Sequence, residues 1–199
     1  MFVCVIILMK YPIYSISFLE YIEEHDEPNW APFTLEYDPL RAGSIDGTDT
    51  EPHDKAINRA IESHYEPPHG LKSKPERTLY VARLGPKVTK QDLMEFFSRY
   101  GEVLSAEVVV DVVTGLSQGY GFVEMKNMEE AKKAARHCLD ATLRGYQILV
   151  DFECSRSMKG WKPRRLGGGF GGKKESGQLR FGGRDRPFKK PIKSNVKKL

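Results

Sequence analysis

Two short stretches carry residues able to do chemistry on a flat ligand. Residues 79–84 read LYVARL and residues 118–125 read QGYGFVEM. Along a strand, successive side chains fall on opposite faces. In the second stretch Tyr120 and Phe122 therefore share one face, Gly119 and Gly121 take the intervening positions, and Val123 points the other way. In the first, Leu79 and Val81 point inward and Tyr80 points out. If the two strands are neighbours, Tyr80, Tyr120 and Phe122 form an open aromatic patch. Such rings stack on unpaired nucleic-acid bases, at about 1–3 kcal/mol per base. The competing use of the patch is packing under a tail or against a partner protein. Arg83 and Gln118 sit at the ends of the stretches. Arg83 offers a phosphate a cation, whereas Gln118 offers only a neutral hydrogen bond.

Other chemistries find little support. Cys4, Cys138 and Cys154 are odd in number and far apart, which argues against a disulfide framework and a zinc site, and points to a reducing compartment. The five histidines form no ligand cluster. Residues 167–174, GGGFGGKK, match the first part of a P-loop, but Lys174 stands where Ser or Thr is needed. No apolar strand precedes them and no apolar helix follows, so the match is compositional. No nucleophile–base set or paired-carboxylate motif suggests an active site, and neither a cofactor nor a small-molecule substrate is expected. Residues 2–9 form an apolar run resembling the core of a signal peptide. It lacks a basic start and an A-x-A site, and it is too short to span a bilayer.

The elements around the two stretches can hold them side by side. Residues 78–84 and 103–111 read as strands. Between them, 89–101 reads as a helix with Thr89 as N-cap, Asp92 three residues on, Leu93, Phe96, Phe97 and Tyr100 on one face, and Gly101 as the stop. Residues 112–117 form a turn and 118–125 a third strand. Asn127 caps a second helix through Cys138, with Met128, Ala131, Ala135 and Cys138 inward. Residues 143–152 give a turn and a fourth strand. The order is β-α-β-β-α-β, a ferredoxin-like α+β fold with a four-stranded antiparallel sheet and two helices.

The flanks are charged in opposite senses. Residues 1–76 hold 6 basic and 14 acidic side chains, 77–154 hold 10 and 11, and 155–199 hold 15 and 2. The front comprises an atypical apolar extension over 1–25 and an acidic arm over 26–76. In the arm Ala56, Ile57, Ala60 and Ile61 form the stripe of one short helix, with Asp54 at its start. The arm has too little apolar material for a core of its own, so it reads as a segment that docks on protein. The tail, 155–199, is basic and Gly-rich and reads as disordered until it meets a polyanion. Its cations nearest the sheet are Arg156, Lys159, Lys162, Arg164 and Arg165. Trp161 either stacks on a base or anchors the segment, and the two uses are evenly balanced.

LYVARL and QGYGFVEM resemble RNP2 and RNP1 of the RNA-recognition motif (RRM) family, each in its proper strand. Three positions depart from the pattern: Gln118 replaces a Lys or Arg, Met125 an aromatic, and Arg83 a frequent Asn. The flanks narrow the resemblance. Residues 160–169, GWKPRRLGGG, are similar to a run in the spliceosomal RRM proteins of the U1 70 kDa type. Residues 37–49 with 52–54, and 171–188, are more similar to the counterpart in the U11/U12 particle of the minor spliceosome. This resemblance covers roughly 30–191. It implies a nuclear, non-enzymatic subunit that binds small nuclear RNA, by analogy U11, beside other U11/U12 snRNP proteins, with no membrane partner. The alternative is a free-standing RRM regulator of pre-mRNA processing.

Overall fold

A computed structural model of the protein describes residues 36–183 and 186–190. The apolar extension, the start of the arm and the end of the tail lie outside the described residues. The elements are α1 (Pro39–Gly43), α2 (Lys55–Glu62), β1 (Thr78–Ala82), α3 (Lys90–Ser98), β2 (Val103–Val110), β3 (Ser117–Met125), α4 (Met128–His137), β4 (Thr142–Leu143), β5 (Tyr146–Gln147) and β6 (Leu149–Phe152). Among the described residues no helix is long and apolar enough to cross a membrane. They fall into two compact units, one of Pro68–Ser157 and one combining the residues before Pro68 with those from Met158 on.

The Pro68–Ser157 unit has the expected βαββαβ order. Its sheet runs β2-β3-β1-β6, with every neighbouring pair antiparallel. Leu79, Val81, Val123, Met125 and Val150 are fully buried, as are Leu93 and Phe97 of α3 and Ala131 and Ala134 of α4. Met125 is core filling, as its apolar type implies. Alternation thus sends one side of each central strand to the helices and leaves the other for the site. The start of α3 is fixed by a capping box: Thr89 Oγ1 accepts from Asp92 N, and Thr89 N donates to Asp92 Oδ2 at 2.8 Å. Arg144 also donates to Asp92, and this bond, with the Thr89 amide, holds its carboxyl down to about 2. Asn127 precedes α4 without a capping hydrogen bond from its side chain. The stretch expected as a turn and one strand is instead a two-residue ladder, β4–β5, followed by β6. Ile148, between β5 and β6, is fully buried.

The second unit corrects the reading of the flanks. Neither arm nor tail has a core alone, but together they build one. The fully buried Ile57 of α2, with Ala56 and Ala60, faces inward, while Ile61 stays half exposed. Tyr37 of the arm meets Trp161 and Phe170 of the tail with ring centroids 4.9 and 5.3 Å apart. Its hydroxyl donates to the Gly169 carbonyl at 3.0 Å. The backbone joins the two segments as well: Phe181 N donates to Ala42 O and Lys189 N to Ile45 O. Gly167 has φ +91°, and a Cβ there would lie 2.0 Å from the Ala56 carbonyl oxygen. Gly167 is therefore a close contact against α2, where a side chain would push the tail away. Opposite charge adds to this, since the acidic arm and basic tail attract across the interface they bury.

Candidate nucleic-acid interface

The antiparallel register sets the aromatic patch. Tyr80 of β1 lies opposite Phe122 of β3, and Ala82 lies opposite Tyr120. Directly opposed residues send their side chains to the same face. The three rings form a triangle, with centroid separations of 5.7 Å (Tyr80–Tyr120), 5.8 Å (Tyr80–Phe122) and 6.1 Å (Tyr120–Phe122). Each ring is partly exposed, on the face of the sheet turned from α3 and α4. A Cβ at Gly121 would fall 2.3 Å from the Glu107 carbonyl oxygen and 3.3 Å from Leu93. Glycine there lets β2 and α3 close on the strand that carries the rings.

The polar rim is mixed in sign. Arg83 is exposed just beyond β1 and has φ +60°, which an arginine rarely adopts. Gln118 is exposed near the start of β3. Sequence reasoning passed over Glu107 and Asp151, which lie opposite Phe122 and Tyr80 in register and so border the rings. Strand alternation carried the signal, but acidic residues near an RNA site read as solvated until the register is known. Carboxylates there repel phosphate and accept from base amino groups, so they favour the base edge over the backbone. Glu124, farther along β3, is buried and engaged: Lys74 N and Arg77 Nε both donate to it at 3.0 Å.

The tail cations predicted to contact RNA are mostly occupied. Arg156 donates to Glu153 through Nε (2.8 Å) and Nη2 (2.6 Å), and to the Ser73 carbonyl. Lys162 Nζ donates to the Ser63 carbonyl. Arg164 donates to the Gln178 carbonyl at 2.7 Å and to the Phe170 carbonyl. Trp161 is half-buried and packs on Tyr37 and Phe170. Lys159 pairs with Glu36 at an exposed position, and the Arg165 guanidinium lies over Tyr65. Proximity in sequence points these five tail cations at RNA, and the fold gives each a structural partner. Cys138 is buried, Cys154 is half-buried, and both are free thiols. Among the described residues no group of His, Cys, Asp and Glu is placed to hold a metal.

A four-stranded antiparallel sheet backed by two helices, with aromatics on its two central strands, defines an RNA-recognition motif. The RNA recognition motif family matches residues 79–149. Over 170 residues the chain is 53% identical to the U11/U12 small nuclear ribonucleoprotein 35 kDa protein of Bos taurus, covering 85% of this chain and 69% of that one. It is 55% identical to the Xenopus laevis protein of the same name over 82% of this chain and 60% of that one. The U1 small nuclear ribonucleoprotein 70 kDa homolog of Schizosaccharomyces pombe is 32% identical over 79% of this chain and 59% of its own. Among solved structures, RNA Binding Protein PG1 aligns with 39% of this chain and 93% of its own at 35% identity and a TM-score of 0.38. The chain belongs to the family of U11/U12 small nuclear ribonucleoprotein 35 kDa proteins. It spans about 60% of the length of the Xenopus relative. The relatives' names are those of ribonucleoprotein components, not of enzymes.

Proposed function

We infer that the protein is an RNA-binding subunit of the U11/U12 particle, acting in the nucleus in splicing of U12-type introns. Its RNA is U11 small nuclear RNA, held by unpaired bases on the open face of the sheet. The observation that carries this reading is the triangle of Tyr80, Tyr120 and Phe122, with every side near 6 Å. That spacing suits two or three splayed bases, each resting on a ring. Arg83 and Gln118 hold the backbone at one end, while Glu107 and Asp151 face base edges. The membership of a small nuclear ribonucleoprotein family supports a stable subunit over a sampling regulator. Crosslinking and immunoprecipitation followed by RNA sequencing tests this. One dominant small nuclear RNA is expected, and reads dispersed over introns would assign the protein to the regulator class instead.

A further inference from the structure

The tail cations divide into two sets. Lys162, Arg164 and the fully buried Arg180 are scaffold, each donating to backbone carbonyls. Arg180 and Gly171 exchange backbone hydrogen bonds of 2.7 and 3.0 Å, closing residues 171–180 into a small hairpin. Arg164 donates to the Gln178 carbonyl inside it. At the hairpin tip a 3-10 turn over Lys174–Ser176 fixes the backbone, with Ser176 Oγ donating to the Lys173 carbonyl at 2.7 Å. This tip presents Lys173 and Lys174, and with Arg186 and Leu179 they line one open depression. All three cations are exposed. Among the described residues that line it, Glu175 is the one carboxylate, set against three cations.

We propose that Lys173, Lys174 and Arg186 form a preorganised site for the phosphate backbone of RNA, separate from the base-stacking sheet. The proposal rests on the RNA-binding reading above. The depression offers three cations and one half-buried leucine, which suits a repeating anion that needs charge and no shaped apolar pocket. Because Arg164 and Arg180 already hold the hairpin, little ordering cost falls on binding. The site places the backbone contact beyond Arg156–Arg165, where the sequence alone puts it.

The test uses the full chain, a labelled stem-loop of U11 RNA and a scrambled single strand, titrated at several salt concentrations. Lys173→Ala/Lys174→Ala removes two contacts and should flatten the log–log salt slope by about 1.5 for both RNAs, at roughly 0.7–0.9 per contact. Between 50 and 200 mM salt the variant then loses about 8-fold less affinity than the parent. Melting and the ratio of the two affinities should be unchanged. Tyr120→Ala in parallel reports on the sheet: normal binding by that variant would sink the stacking reading and leave this proposal standing. An unchanged slope in the lysine variant overturns the proposal, as does an absence of salt-sensitive binding to either RNA by the parent. An unchanged slope together with lost affinity for polyglutamate would assign the patch to an acidic protein, which also overturns it.

Discussion

Arg180→Ala should uncouple the tail from the arm. The guanidinium is fully buried and donates from Nε and Nη2 to the Gly167 carbonyl at 3.0 and 2.8 Å. It also reaches Asp54 at 3.1 and 3.4 Å. Truncation strands a buried carbonyl and removes the partner of a mostly buried carboxylate. Breaking a buried pair by deleting one member costs about 3–5 kcal/mol. The lower end, about 3 kcal/mol, applies here, because the Asp54 side chain is 21% exposed and still accepts from Ile57 N at 2.7 Å. That is most of what a core this small can supply. Hydrogen exchange read by mass spectrometry is the assay. Peptides from 36–67 and 158–183 should exchange about a hundredfold faster, while those from β1, β3 and β6 keep their protection. Unchanged protection in both flanking segments would refute the claim that Arg180 locks them together.

Changing Tyr80, Tyr120 or Phe122 to Ala should each weaken RNA binding by about 1–3 kcal/mol with little change in melting, measured by titration and calorimetry; if each variant binds normally, the rings do not stack on bases. Gly121→Ala should destabilise the RRM by about 1–3 kcal/mol, as overpacking does, because its Cβ meets the Glu107 carbonyl oxygen; thermal melting reads this, and an unchanged Tm would contradict the close approach of β2. The arm–tail unit should loosen in acid. Burial pulls Asp54 toward protonation, but the Ile57 amide and Arg180 outweigh it and hold the carboxyl below its usual 3.8. A depressed carboxyl pKa contributes stability above the unfolded value, and that stability is lost as pH falls through the folded one. Flank-specific exchange should rise below about pH 4, with Asp54→Asn removing the dependence.

The RRM was legible because its signals are local. Strand alternation placed the rings on one face, and Thr89 with Asp92 announced the start of α3. The acids bordering the rings were not legible, since Glu107 and Asp151 acquire meaning only from cross-strand register. The composite unit was missed for a different reason. Its core is divided between segments about a hundred residues apart in sequence, so neither half shows a sustained apolar period. Two signals were present. Asp38-Pro39 is an N-cap followed by proline at the first helical position, and it starts α1. Trp161, Phe170, Phe181 and Phe188 are also more large aromatics than a solvated tail needs. Truncation after Cys154 removes Trp161 and Phe170 from Tyr37, so it unfolds the arm as well as deleting cations. Deleting the arm likewise bares the tail, and point substitutions are the cleaner probes.

The central claim is that unpaired RNA bases lie on the β1–β3 face. Photocrosslinking the full chain to U11 RNA carrying 4-thiouridine, with the adducts located by mass spectrometry, tests it most directly. Adducts on Tyr80, Tyr120 or Phe122 are expected. Adducts confined to α3 and α4, on the opposite side of the sheet, would contradict it.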